Sequence, residues 1–245
     1  MLRVGPGVGD PLLLTAPLGR RALAELLGTA FLVVAVVGSG IAAARLSPGD
    51  VGLQLFENAA ATAAALAAII LTVGPVSGGH LNPVVTLAAR VSGDLTTAEA
   101  GGYVAAQVAG GVVGVVVANL MYSLPAVELS TKVRSSGGLW LGEVVATFGL
   151  LLLIGALVRT GRTSAAPAAV GAYIGAAYFA TSSTSFANPA VTLARSLTDT
   201  FAGIAWRSVP VFLGAQVVGA ALAIVVGRIL YPADVPDPSL EEVRG

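Results

Sequence analysis

Two short runs hold most of the chemistry in this chain, Ser77-Gly78-Gly79-His80-Leu81-Asn82-Pro83-Val84 and Ser185-Phe186-Ala187-Asn188-Pro189-Ala190. Asparagine is a favoured N-cap, and proline costs nothing in a first helical turn because its missing N–H would be unpaired there. The sequence therefore specifies two helix N-termini, one after Asn82 and one after Asn188. Each presents about half a positive charge and unpaired amide donors, and each asparagine adds a side-chain N–H group. That set favours a neutral, oxygen-bearing solute and repels a cation. Two carboxylates recur in one pattern, Glu25-x-x-x-Thr29 and Glu143-x-x-x-Thr147, and two amides in another, Ala106-Gln107-Val108 and Ala215-Gln216-Val217. With no cysteine, thiolate metal sites, thiol nucleophiles and disulfides are excluded. The single histidine, His80, makes no histidine-built metal site, so neither a metal nor a cofactor is expected. His80 has no acidic residue close by in sequence to orient it, so a Ser-His-Asp hydrolase is not indicated and the chain does not read as an enzyme.

The elements that position these residues follow from composition. Hydrophobic residues make up 56% of the 245 and charged ones 11%, against about 25% charged in an ordinary soluble domain. Thirteen Lys+Arg balance thirteen Asp+Glu, leaving no basic surplus for phosphates and no nucleic-acid partner. Six stretches reach the roughly 20 apolar residues a membrane span needs: Ala22 to Ala44, Leu53 to Gly74, Ala98 to Tyr122, Leu139 to Val158, Ala165 to Thr181 and Ala205 to Leu230. Six spans put both termini on one side. Arg3, Arg20, Arg21, Arg159, Arg162, Arg228 and Arg244 share that side, opposite Arg45, Lys132, Arg134, Arg195 and Arg207, so the positive-inside rule makes the termini cytoplasmic and the protein a multi-pass inhabitant of the inner (plasma) membrane, in contact with its lipids. Residues 1–20 read as a flexible tail and not a signal peptide, residues 21–231 as one channel-like domain, and residues 232–245 as a second flexible tail.

The recurring motifs divide that domain into two repeats, about 21–122 and 138–231, each with three spans. An odd number of spans inverts the second copy in the membrane. Each Asn-Pro motif follows the second span of its repeat and opens about eight helix-compatible residues, roughly 12 Å at 1.5 Å per residue and too short to cross. The expected fold is all-α: six transmembrane helices plus two re-entrant half-helices whose N-termini meet near the bilayer centre. Irregular backbone at that depth is tolerated where it is buried or lines a water-filled path, and a pore accounts for it.

These paired motifs, with Glu25, Glu143, Gln107 and Gln216, resemble the aquaporin and glycerol-facilitator family over essentially the whole membrane domain. The resemblance implies a pore in each protomer, a homotetramer, and a passive channel for small neutral solutes. It makes Asn82, Pro83, Val84, Asn188, Pro189 and Ala190 the pore motifs, and Gly78, Gly79 and His80 the pore-lining loop. Val84 stands where the family usually has alanine and points away from the asparagine donors. The glutamates and glutamines become buried struts of the half-helix loops. An arginine usually follows the second motif and lines the outer constriction; here the residue is Val191, and a gapless count assigns the other filter positions to Thr62, Ala176 and Ser185. Four small or medium side chains predict a wide, weakly polar opening. The run from Ser185 to Arg195 looks like a bacterial subgroup associated with arsenic detoxification, which adds arsenite, as its neutral trihydroxide, to glycerol-like polyols and water as expected solutes. Arg195 shares a helical face with Asn188 and Val191 and reads either as an outer vestibule charge or as a guanidinium snorkelling at the membrane surface. His80 is either a pH gate or a neutral pore-lining ring. A plain water channel, a proton-coupled transporter built on Glu25 and Glu143, and a junction protein with a vestigial pore are the competing functions.

Overall fold

Every element in the structure, a computed structural model that describes residues 16–232, is helical. The chain runs α1 (Leu18–Leu46), α2 (Val51–Ser77), α3 (Pro83–Ser92), α4 (Thr97–Met121), α5 (Gly137–Arg159), α6 (Ala166–Ala180), α7 (Pro189–Arg195) and α8 (Val209–Leu230), with 3₁₀ turns at Thr163–Ala165 and Trp206–Ser208. Local sequence explains where the helices start. Asp50 accepts from the Leu53 amide at 2.9 Å to open α2, Ser136 accepts from the Leu139 amide to open α5, and Thr96 with Glu99 closes a capping box on α4. The two expected tails lie outside the described residues except at their inner ends, where Leu18–Arg20 already belong to α1.

Among the described residues five helices, α1, α2, α4, α5 and α8 with its preceding turn, are long and apolar enough to cross a membrane. The sixth expected span, α6, has 15 helical residues, roughly 22 Å, and is lengthened by the 3₁₀ turn before it. The arrangement of two helices, a half-helix and a long helix in α1–α4 recurs in α5–α8, with the shorter α6 as the counterpart of α2. Packing follows the same pairing: α1 lies on α4 as α5 lies on α8, and α2 and α6 lie on each other between the halves. With no hydrophobic drive between helices in lipid, close approach depends on small residues. A Cβ at Gly110 or Gly114 of α4 would collide with the carbonyls of Leu26 and Ala30 on α1, and one at Gly219 of α8 with the carbonyl of Val144 on α5. The outward surface carries exposed Phe31, Leu71, Leu141, Phe179, Val225 and Ile229, side chains suited to lipid and not to water.

Candidate functional site

The two short helices meet end to end through their asparagines. Asn82 Oδ1 caps the Val84 amide at 3.1 Å, and Asn188 Oδ1 caps those of Ala190 and Val191 at 3.0 and 3.2 Å. Each amide nitrogen then reaches across: Asn82 Nδ2 donates to the Ala187 carbonyl and Asn188 Nδ2 to the Leu81 carbonyl, both at 2.7 Å. The reciprocal bonds lock the half-helices together at their N-termini and use one of the two N–H groups on each amide. The preceding loops share a backbone path, with positive φ at Gly78, Gly79 and Leu81 in one and at Thr184, Ser185 and Ala187 in the other. Glycine takes that conformation freely. In the second copy a threonine and a serine adopt it at a cost, and what they add is two hydroxyls.

Glu25 and Glu143 hold these loops. Glu25 is fully buried and accepts from the His80 amide (2.9 Å), the Leu81 amide (2.6 Å), the Ser77 hydroxyl (2.6 Å) and Gln107 Nε2 (2.8 Å). Glu143, equally buried, accepts from the Phe186 amide (2.8 Å), the Ala187 amide (2.9 Å) and Gln216 Nε2 (2.7 Å). Each glutamine passes its second N–H to a half-helix threonine, Gln107 to Thr86 and Gln216 to Thr192, at 2.9 Å in both. Every group that bonds either carboxylate donates to it, so each carboxylate ties its loop to the neighbouring helices as a strut.

The residues of the expected constriction do not all come together. Thr62, Ser185 and Val191 are 1%, 3% and 4% exposed and lie on the inner side of the bundle. Ala176 does not join them: it is exposed on the face of α6 turned away from the buried row Val170, Ile174, Ala177 and Tyr178. The α6 residue that reaches Thr62 is Tyr178, 3% exposed, its hydroxyl donating to Thr62 Oγ1 at 3.3 Å. Two residues at about 100° each turn a side chain through more than half a circle, so a count wrong by two carries the position from one side of a helix to the other. The spacing that would have revealed this is Gly171 and Gly175, whose missing Cβ atoms let α2 approach at Ala63 and place Tyr178 beside it. Ser185 Oγ is buried without a protein partner.

Outside this ring is a cavity of about 140 Å³ whose lining includes Asn58, Thr184, Lys132, Arg134, Arg195 and Phe201. Arg195 is 3% exposed, which removes the snorkelling reading. Its guanidinium stacks on Phe186, 3.4 Å from the ring centroid, and its Nε donates to the Ala202 carbonyl at 2.5 Å. Lys132 and Arg134, which no sequence motif marked, come from the loop before α5. Burial pushes the Lys132 ammonium down to about 8, helped by Arg134 and Arg195 and opposed by Asp199; burial pushes Arg134 down to about 10. At the other end His80 Nδ1 lies 3.2 Å from Thr86 Oγ1 and its ring meets Tyr103 edge-on at 5.3 Å. Arg21 there stacks over Tyr103 and is paired with Glu99. Val84 lines an apolar groove with Leu87, Val217 and Ile224, on the side of α3 that faces α8.

The family model described as major intrinsic protein matches residues 13–231. The aquaglyceroporin AqpS of Rhizobium meliloti is 49% identical over 217 residues, covering 88% of this chain and 92% of that protein. The aquaporin TIP1-2 of Zea mays is 32% identical and covers 95% and 94%. The crystal structure of the aquaglyceroporin from Plasmodium falciparum superimposes with a TM-score of 0.66 over 92% of this chain and 100% of that one, at 23% identity, a likeness of fold.

Proposed function

The chain belongs to the major intrinsic protein family and is a multi-pass membrane channel for water and small solutes, not an enzyme; from that premise we propose that it passes neutral polyhydroxy solutes, arsenite as its trihydroxide and glycerol-like polyols, together with water. The observation that carries this reading is a constriction of Thr62, Tyr178, Ser185 and Val191 without a charged side chain and with one buried hydroxyl, Ser185 Oγ, left unpaired by the protein. A passing hydroxyl finds there a partner that the fold has not used, and next to it Val191, which contributes apolar surface and no ion. Trihydroxides and polyols carry several hydroxyls on a compact body, so exchanging water for Ser185, the spare amide N–H of Asn82 and that of Asn188 keeps them solvated along the path. Tyr178 makes the opening narrower than four small side chains would, and its hydroxyl bond to Thr62 sets the width.

The path runs through each protomer, with Gly78, Gly79 and His80 lining the cytoplasmic half and four protomers assembling as a homotetramer in the plasma membrane, termini inside. The relative described as an aquaglyceroporin favours solutes larger than water over the plain water channel. The backbone amides and glutamine amides that donate to Glu25 and Glu143 stabilise the ionised carboxylates as loop struts, which favours passive flux over proton coupling. The test is stopped-flow light scattering on liposomes carrying the purified protein, with water, glycerol and neutral trivalent arsenic measured against empty vesicles. Rapid glycerol and arsenic flux is the expected result. Water flux with neither larger solute refutes the reading and leaves a water channel.

A further inference from the structure

A family channel with valine at position 191 lacks the fixed cation that would stand in its constriction, and the structure holds three cations just outside it. Three of the four constriction residues have a neighbour farther out that lines the outer cavity: Asn58 is one turn from Thr62 on α2, Arg195 one turn from Val191 on α7, and Thr184 directly precedes Ser185. The cavity is therefore the antechamber of the constriction, with about 6 Å of helix separating Val191 from Arg195. Lys132, Arg134 and Arg195 converge on it by holding three successive carbonyls of one loop: Lys132 Nζ donates to Phe201 at 2.9 Å, Arg195 Nε to Ala202 at 2.5 Å and Arg134 Nε to Gly203 at 3.0 Å. Both guanidinium groups also lie against the Phe186 ring. These bonds fix the side chains and leave their charges uncancelled. Among the described residues the only ion pair is Arg21 with Glu99, at the opposite mouth. Asp199, accepting from the Thr131 amide and hydroxyl, and Glu143, accepting from its three donors, pair with none of the three; their two negative charges offset part of the field and leave the cluster with an excess of positive charge.

We propose that Lys132, Arg134 and Arg195 form the cation barrier of this channel, moved one helical turn outward from the constriction so that the narrowest point stays uncharged. The arrangement separates two tasks that one arginine would combine. A charge in the constriction rejects cations but also fills the opening. A charge in the antechamber rejects cations by its field, which low-dielectric walls focus along the axis, and leaves the width at Val191 free for a bulkier neutral solute. The inference rests on placing the constriction at Thr62, Tyr178, Ser185 and Val191.

The test uses full-length channel in liposomes with the double variant Lys132→Gln/Arg134→Gln, which substitutes neither Arg195 nor any constriction residue, and with the charge-keeping pair Lys132→Arg/Arg134→Lys. Potassium flux and water flux are measured on the same vesicles. The expected result is a potassium leak raised on the order of tenfold by the glutamine pair, from two charges lost at short range in a partly wet pore, with water flux retained and the leak back at the parental level in the charge-keeping pair. An unchanged leak in the glutamine pair, with water flux intact, overturns the proposal. An equal leak in both pairs also overturns it, because loop packing and not charge would then be responsible. Glycerol flux through the parent channel reports separately on the constriction: its absence would undo the proposed solute class without altering the leak comparison.

Discussion

Glu25 and Glu143 occupy equivalent places, yet neutralising them should not have equal effects. A glutamine in either place turns one acceptor oxygen into an NH₂ group among donors. At Glu25 the amide nitrogen fits best on the Oε1 side, where the Ser77 hydroxyl rotates to accept from it and only the His80 amide is orphaned. The Oε2 side is worse, since it meets the Leu81 amide and Gln107 Nε2 together. At Glu143 the same choice orphans the Phe186 amide, and no hydroxyl bonds that side to take up the new donor. An orphaned buried N–H costs about 1–3 kcal/mol, so Glu25→Gln should cost about 2 kcal/mol and Glu143→Gln, with a second unsatisfied group, about 4 kcal/mol. The assay is thermal unfolding in detergent micelles followed by the fluorescence of the two tryptophans, combined with water flux per reconstituted channel. Glu143→Gln should unfold at the lower temperature, and whatever folds should conduct passively. Equal destabilisation, or a reversed order, would refute the strut argument. Uphill solute accumulation that is lost in either variant while exchange persists would refute it more deeply, since the glutamates would then carry protons.

Val191→Arg should lower glycerol and arsenite flux more than water flux, by at least about tenfold, the smaller end of what a pocket exacts for a misfit; an equal loss for all solutes in stopped-flow would count against this constriction. Tyr178→Phe keeps the ring and removes the bond to Thr62, so water flux should change little. Tyr178→Ala should raise glycerol flux relative to water, at about 3–5 kcal/mol of stability for emptying a buried aromatic site; an unchanged ratio would place Tyr178 off the path. Lys132 carries its charge below about 8 and loses it above, while Arg134 and Arg195 stay cationic near neutrality and Asp199 stays anionic. Potassium leak should therefore rise between pH 6.5 and 8 in the parent channel and stay flat over that range in Lys132→Arg. A parallel rise in both would exclude the ammonium as its source.

The repeat, the half-helices and the glutamate struts were legible because each is written twice and each copy obeys a local rule. An Asn-Pro pair fixes a helix start wherever it sits, and a carboxylate buried in a span must find donors. The fifth-span constriction residue was not legible in the same way. Its identity depends on helix phase after a loop, and a gapless count from Asn188 carries no phase information across Thr181–Ala187, where three residues have positive φ. Lys132 and Arg134 were legible as charges on the side opposite the termini, but their convergence on the cavity with Arg195 was not, for a related reason. Both sit in an irregular segment whose course is set by distant partners, the Gly203 carbonyl and the Ser208 hydroxyl for Arg134 and the Phe201 carbonyl for Lys132. No periodicity in the residues around them encodes those contacts.

Comparing the copies with each other separates scaffold from selectivity. Where the halves agree, as in Glu25 with Glu143, Gln107 with Gln216, Thr86 with Thr192 and Asn82 with Asn188, the residues bond to one another and close the fold. Where they differ, the side chains face the ends of the path. His80 on Tyr103 answers Phe186 on Phe212, with nearly the same edge-on geometry at 5.3 and 5.2 Å, but the inner pair lies beneath an arginine neutralised by Glu99 and the outer pair beneath two arginines without an acid partner. Gly79 answers Ser185, so one copy has bare backbone where the other has a spare hydroxyl. A duplicated fold with identical ends would present the same field to both sides of the membrane. The differences between the copies concentrate uncompensated positive charge at one mouth, so cations should be sorted before the constriction from outside and after it from inside. Potassium current through oriented channels should therefore differ between equal and opposite membrane voltages, and a symmetric current–voltage curve would show that the asymmetry has no electrostatic consequence.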